Sequence, residues 1–569
     1  MAVEVVTSEL VPPSEPTPRR ALWLSNLDLA ARNGYTPTVY FFRRRPQDDR
    51  PQANPDFFSA DVLRAALAAA LVQFYPFAGR LRRAGRDDDG RAEIDCNAAG
   101  ALFVVARSAA ALEDFDGFAP SKAMNDTFVP KYDSTAGPDA PLLLLQVTFF
   151  RCGGVALGTA MHHFVIDGRS AFHFIRTWAS IARGDTAAAA PPSLDRTPLR
   201  ARPLPTVHFD HTHEYGGRTS RPATTGGGKA EYASAILRVT GAQAAALSAR
   251  AGAVSTFRAL VGHVWRCACA ARALAPDAES RLYTMVDMRA RLSPPLPETF
   301  FGNAVARTSV SARVGDLLAN PLDFGARRLR GATGHGDEYA RSLLDYLETA
   351  DLAALPRSGL AGTDLRVISW LGMPSYDADF GWGEPALLAP ALMYYPGFVY
   401  LLNCPGKGGD VAVAAALEPE RMELFKELFY EELAMLDPAP VASTPFHGDV
   451  SVSLIATGTA ARTSRPGGQP ILTASYPEFS SPASQQYFTR KMCAETGSLL
   501  LFCGWQDTDL RRQRPRDAGG VLLPKSAVKF ERYLMGEVLF PDINAYEVDL
   551  GTDEKHCFCH ESDLLAVVE

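Results

Sequence analysis

Apolar positions along the first 190 residues switch between two periods. In SADVLRAALAAALVQF, Ser59 to Phe74, the residues Val62, Leu63, Ala66, Leu67, Ala70 and Leu71 recur at helical spacing. Ser59 is the predicted N-cap, and Pro76 stops the helix. Short strand-like runs follow: RAEIDC, ALFVVA and LLLLQVTFF. The last leads through RCGG into VALGTAM, and two apolar runs joined by a Gly-Gly turn predict a β-hairpin. After Asp167-Gly168 the period is again that of a helix, with Phe172, Phe174, Ile175, Trp178 and Ile181 apolar.

From about Ala187 to Gly228 the periodicity disappears into Pro, Gly, Ser and Thr, which predicts an interdomain crossover over 191–228. A second αβ pattern starts near Glu231. TGAQAAALSARA and VSTFRALVGHVWRCACAARA are predicted helices. LYTMVDM, RVISWLG, FVYLLNC and DVAVAAAL are predicted strands, and Glu420 to Leu436 a closing amphipathic helix. Beyond Pro438 the texture changes: VSVSLIATG has strand character, but ARTSRPGGQP and LRRQRPRDAGG are loop-like. Strict βα alternation is absent, which disfavours a doubly wound sheet. The expectation is an α+β chain with mixed sheets in two similar-sized domains, 1–190 and 229–436, and an extension of unknown role over 437–569.

Composition narrows the class. A length of 569 residues exceeds one typical core. The net charge of −7 offers no general basic field to a nucleic acid. No window approaches the roughly 18 apolar residues of a spanning helix. The acidic, proline-rich start lacks the basic and apolar regions of a signal peptide. Nine scattered cysteines, an odd number, read as reduced thiols of a cytoplasmic protein; a monomer is expected. HCFCH, His556 to His560, invites a metal reading. Five contiguous residues rarely wrap one tetrahedral ion, and no second ligand cluster is near, so no metal is expected.

The stretch MHHFVIDGRS, Met161 to Ser170, sets two histidines and an aspartate inside an apolar passage. Buried polar groups are costly without partners. A strand ending at His163 delivers that imidazole to a turn, where it can act as a general base at neutral pH. Asp167 either orients the histidine directly or turns away and braces the loop through an arginine. His162, facing the opposite way along the strand, is a structural neighbour. On its own the HxxxD spacing is a weak signal.

The wider set is specific. YPFAGRL (Tyr75 to Leu81), HHFVIDG, STFRALVGHVWR (Ser255 to Arg266), VDMRARL (Val286 to Leu292), FFGN (Phe300 to Asn303) and DADFGWGEP (Asp377 to Pro385) occur in that order. Together they resemble the plant BAHD acyl-CoA-dependent acyltransferases over about Val6 to Leu436. The resemblance implies two related domains with an active-site channel between them. It implies His163 as the base that deprotonates the acceptor for direct attack on a CoA thioester. Asp167 would be mainly structural, with Arg289 as its candidate partner. Asp379, Gly381, Trp382 and Gly383 would support the fold and the CoA channel away from the base. Ser255 and Thr256, at a helix start, would lie near CoA; simple N-capping is the plain alternative. Acyl-CoA is then a co-substrate, and no cofactor is required.

LWLSNLDL, TPTVYFF, RAEIDCNAAGALFVVA and LLLLQVTFFRCGG are most similar to the hydroxycinnamoyl-CoA shikimate/quinate branch, which implies Thr38 and Tyr40 in the substrate pocket. One position departs. Where that branch carries an arginine for the acceptor carboxylate, the stretch here is SWLGMP, with Gly372 in its place. A small amine acceptor is therefore expected, with an alcohol or a shikimate/quinate-type acid as the alternative. Asp377 and Glu384 flank DFGWG as carboxylates for a cation, although surface pairing suits Glu384 better. The rival of another class is a non-catalytic, thioester-binding member of the fold, against which the intact His163 and Asp167 speak.

Overall fold

The computed structural model describes residues 3–436, except 45–56, 84–89, 116–117, 133–138, 186–189, 217–230, 253, 335, 356–358 and 407. The chain divides into two units, Met1–Val441 and Ala442–Glu569. In the second unit only the backbone of two small antiparallel ladders is described: Arg462–Thr463 with Ile471–Leu472, and Tyr546–Val548 with His556–Phe558. Cys559 and His560 of HCFCH, like VSVSLIATG, lie outside the described residues.

In chain order the strands of the first unit are β1 (Val3–Val11), β2 (Ala21–Trp23), β3 (Tyr35–Phe42), β4 (Arg80–Arg83), β5 (Ala92–Asp95), β6 (Ala101–Ser108), β7 (Leu143–Phe150), β8 (Val155–His162), β9 (Ala233–Val239), β10 (Glu279–Asp287), β11 (Val305–Arg313), β12 (Leu365–Ser369), β13 (Leu387–Pro390), β14 (Phe398–Asn403) and β15 (Val411–Leu417). The helices are α1 (Asn26–Ala30), α2 (Ala60–Gln73), α3 (Lys122–Phe128), α4 (Gly168–Ala182), α5 (Thr212–Tyr215), α6 (Gly241–Arg250), α7 (Thr256–Ala271), α8 (Val314–Ala319), α9 (Asp323–Ala332), α10 (Asp337–Thr349) and α11 (Pro419–Ala434).

Two six-stranded sheets carry the fold, in the orders β1-β6-β7-β8-β3-β13 and β11-β10-β12-β14-β15-β9. Both are mixed. β6 and β7 run parallel in the first sheet, and β10, β12 and β14 in the second. One strand of the second half joins the first half's sheet across the division at 190/229. β13, from the second half, pairs antiparallel with β3 and extends the first sheet.

Period-two alternation decides which core each strand face enters. Val399, Leu401, Val411, Val413, Ala415 and Leu417 pack against α7 and α11, with Trp265 and Phe425. Their neighbours Phe398, Tyr400, Leu402, Ala412, Ala414 and Ala416 face the other way, into one core with Tyr40, Phe42, Leu157, Met161 and the apolar face of α4. A single apolar cluster therefore spans both halves of the chain. The predicted helix at Ser59 forms as α2, with the Ser59 hydroxyl accepting from the Val62 backbone N–H. It buries Leu63, Ala66, Leu67, Ala70 and Leu71, whereas Val62 is exposed. Pro76 lies in the 3₁₀ turn that follows. Gly158 of β8 is required by close approach: a Cβ there would lie 1.8 Å from the Phe128 carbonyl oxygen, where α3 ends against the sheet.

The crossover without periodicity is anchored by charge. Arg196 meets Asp28, and Arg202 meets the buried Asp345 of α10 at 2.6 Å. A proline-rich segment shows no repeat, yet each arginine–carboxylate pair fixes it at one point.

His263 of α7 joins that helix to α11. Its Nδ1 lies 3.1 Å from Glu432 Oε2 and its Nε2 2.9 Å from the Phe429 carbonyl. Both partners only accept, so the ring donates from both nitrogens and is an imidazolium. Burial opposes that charge, but the hydrogen bonds to Cys267 and Glu432 outweigh it and raise the pKa to about 10. A raised pKa in the folded state gives stability that is complete below the unfolded value, about 6.5, and is lost as pH rises through about 10. The urea midpoint is expected to fall between about pH 7 and pH 10, and less steeply in Glu432→Gln. An equal fall in both proteins would refute the pairing.

Candidate active site

The site is built where β8 gives way to α4. β8 ends at His162, whose ring is buried edge-on to Tyr35 and Phe164. Its Nδ1 accepts from the Phe164 backbone N–H at 3.3 Å. Burial, with the nearby His163 and Arg32, lowers its pKa to about 4. His162 is a neutral packing residue.

His163 is held by its backbone on both sides. Its N–H donates to the Gly34 carbonyl at 2.9 Å, and its carbonyl accepts from Asn303 Nδ2 at 2.8 Å. The ring is only partly exposed, and its Nδ1 is buried with no regular hydrogen-bond partner. Burial lowers the pKa below the ordinary 6.5. Arg32 acts in the same direction, and the Asp167 charge opposes it. The imidazole is accordingly neutral at physiological pH.

Asp167 does not hold the ring. Its carboxylate is gripped by Arg289, Nη1 to Oδ2 at 2.8 Å and Nη2 to Oδ1 at 2.9 Å. Oδ2 also accepts from the Ala304 backbone N–H at 3.0 Å. Oδ1 caps α4 by accepting from the Ser170 N–H at 3.0 Å. Burial would raise this carboxyl's pKa, but the Arg289 charge and these hydrogen bonds hold it below the usual carboxylate range. Of the two geometries open to Asp167 from sequence, the structure has the one that braces the loop. Ser170 Oγ ties the brace to the second half of the chain, donating to the carbonyl of Phe300 or Gly302, each at 3.0 Å.

A second buried clamp was not evident from sequence. Asp28, fully buried, accepts from Ser25, from the backbone and side-chain N–H groups of Asn303 at 2.8 and 2.9 Å, and from Arg196 Nε at 3.0 Å. Asn303 Nδ2 therefore bridges Asp28 to the His163 carbonyl. The fragments LWLSNLDL and FFGN contain both residues, but no spacing rule links positions 275 apart.

The other expected residues lie in several places. Thr38 and Tyr40 share the inner face of β3, and Thr38 Oγ1 meets Thr159 Oγ1 at 2.6 Å on β8. Tyr40 is buried, which raises its pKa. Gly372, at φ +73°, lines a cleft of about 680 Å³ that runs past Arg169 and His173 of α4; His163 is not on its wall. A Cβ at Gly372 would meet nothing within 4 Å. Ser255 is the N-cap of α7, but its side chain makes no capping bond. DFGWG sits at the far end of α4 from His163, about 20 Å along the helix axis. There Arg183, the C-cap residue, donates to the Asp379 carbonyl. Asp379 Oδ1 accepts from the N–H groups of Gly381 and Gly383, each at 2.8 Å, and both glycines take positive φ. Trp382 packs on Phe57 and Phe58. Asp377 lies 3.9 Å from Arg176, and Glu384 lines a small surface cleft with Arg43 and Trp382. No cluster of metal-ligating side chains occurs among the described residues.

A family model described as the Transferase family matches residues 1–432. Putrescine hydroxycinnamoyltransferase 1 of Oryza sativa subsp. japonica is 47% identical over 462 residues, 76% of this chain and 100% of that protein. Shikimate O-hydroxycinnamoyltransferase of Nicotiana tabacum is 41% identical over 446 residues, again 76% and 100%. The crystal structure of vinorine synthase superposes with a TM-score of 0.57 at 21% identity, covering 74% of this chain and 96% of that one, a likeness of fold. The chain belongs to the BAHD transferase family and is an acyl-CoA-dependent acyltransferase of its hydroxycinnamoyltransferase branch.

Proposed function

We propose that the protein transfers a hydroxycinnamoyl group from its CoA thioester to a small amine, with His163 as general base. One observation carries this reading: the His163 side chain is partly exposed just past the end of β8, where burial lowers its pKa, while the carboxylate of the same turn is consumed by Arg289. With hydrogen on Nδ1, beside the residue's own carbonyl, the Nε2 lone pair takes a proton from the acceptor. The acceptor nitrogen attacks the thioester carbonyl carbon as it loses that proton. The tetrahedral intermediate then breaks its C–S bond, and the imidazolium returns the proton to the leaving thiolate. An amine attacks only in its neutral form. Gly372 offers no side-chain cation to an acidic acceptor, and one relative is named for putrescine.

Two kinetic readouts test the mechanism. With an arylamine that stays neutral across the range, kcat/KM is expected to be flat above about pH 7 and to fall at lower pH through an inflection beneath His163's ordinary 6.5. Initial-velocity plots against both substrates are expected to intersect. Parallel lines, with an acyl-protein mass in the absence of acceptor, would show a covalent intermediate and overturn direct attack.

A further inference from the structure

We infer that Arg32 and Arg366, mounted on Tyr394 and Tyr395, form a carboxylate-binding patch beside His163, so that the preferred acceptor is an amine that also carries a carboxylate. This rests on His163 as the base, and it gives the acceptor a chemical class.

Both guanidiniums are held and neither is neutralised. Arg32 Nη1 donates to the Tyr35 carbonyl at 2.6 Å, and its guanidinium carbon lies 4.1 Å from the centre of the Tyr394 ring. Arg366 Nη1 donates to the Tyr395 hydroxyl at 2.6 Å, with the guanidinium over the rings of Tyr283 and Tyr395. Tyr394 and Tyr395 are neighbours in the chain and both pack on Phe398, so the two cations belong to one aromatic cluster. Among the described residues neither arginine forms an ion pair, whereas Arg196, Arg202, Arg272 and Arg289 each meet a carboxylate. Arg32 has two further donor nitrogens, Nε and Nη2, without a partner among those residues. A half-buried cation without counter-charge is a poor end state, and a guanidinium fork matches a carboxylate bidentately.

Position ties the patch to the chemistry. Arg32 precedes by two residues Gly34, whose carbonyl holds the His163 N–H. Its charge acts on both His162 and His163. Tyr394 and Tyr395 pack on Phe398, Phe398 on Tyr400, and Tyr400 on Trp370, an aromatic wall that reaches Phe172 of α4. CoA also brings anions, but the pantetheine arm keeps its phosphates far from the thioester and hence from the base. An acceptor carboxylate lies within a few bonds of the reacting nitrogen. The patch therefore does from β12 and the turn before β3 what no side chain at Gly372 does.

The test uses matched acceptors that differ by one carboxylate: 5-hydroxyanthranilate against 4-aminophenol, and anthranilate against aniline, with putrescine and shikimate alongside. Wild type is expected to favour the acid of each pair by roughly 10- to 100-fold in kcat/KM, and Arg32→Gln and Arg366→Gln to lose most of that preference. Arg32→Lys is expected to recover part of it. A preference ratio measured on one preparation does not depend on the folded fraction. Removing the Arg32 charge is also expected to move the acidic inflection of kcat/KM to higher pH, because that charge lowers the His163 pKa. Equal rates for acid and parent amine, or a preference for putrescine that both variants keep, would overturn the patch and leave the amine reading intact. A raised KM for the thioester alone would reassign it to CoA phosphate and overturn it too. Turnover of shikimate that depends on both arginines, with no amine accepted, would keep the patch and overturn the amine.

Discussion

His163→Ala is expected to lower kcat by about 10²- to 10⁴-fold, the usual contribution of a positioned general base, with affinity for the CoA thioester within a few-fold of wild type. The His163 backbone, not its ring, makes the contacts that hold the turn: the N–H to Gly34 and the carbonyl to Asn303. Alanine preserves both. The side chain it removes has a buried Nδ1 without a regular partner, so the fold loses little. Loss of turnover with an unchanged unfolding midpoint is the expected pair of results. A fall in kcat of less than about fivefold would show that the acceptor's proton goes elsewhere, well short of the tenfold that each ~1.4 kcal/mol of barrier gives.

Arg289→Ala is expected to behave in the opposite way, chiefly as a stability variant. It strands the Asp167 carboxylate in a site where that group is 2% exposed. Breaking one side of a buried, hydrogen-bonded pair typically costs about 3–5 kcal/mol. Arg289 also donates to Asp287, and through Asp167 it fixes the first turn of α4. The expected result is a large fall in the urea midpoint and, in the folded fraction, impaired catalysis through a displaced turn. Asp167→Asn is expected to cost less, because the amide keeps an oxygen for the cap while losing the charge. If Arg289→Ala unfolded at the wild-type midpoint, the brace would not carry the stability assigned to it.

The sequence pattern located the parts of this site that lie close together in the chain. Strand, turn and helix across MHHFVIDGRS follow from a change of period at Asp167-Gly168, and β8 and α4 form there. The Asp167–Arg289 pair, 122 residues apart, came from the family resemblance rather than from any periodicity. Asp28, Arg196 and Asn303 were not singled out, because a hydrogen-bond network between distant loops leaves no repeat to read. Arg32 and Arg366 escaped for the same reason: a guanidinium without a partner looks like any surface arginine until its neighbours are placed. Elements with mixed exposure were also hard to see. β1 pairs with β6 at the sheet edge and leaves Val5, Val6 and Leu10 exposed, so its alternation does not mark a core face. α8 and α9 are short, and Asn-Pro and Gly-rich turns separate them from each other and from α10, which breaks a helical window before it accumulates.

The most direct measurement mixes the full-length protein with p-coumaroyl-CoA and a panel of amines, alcohols and acids, and identifies products by mass alongside thiol release. A coumaroyl amide, formed by wild type and lost in His163→Ala, is the expected result. A coumaroyl ester as the sole product, or turnover that survives in His163→Ala, would contradict it.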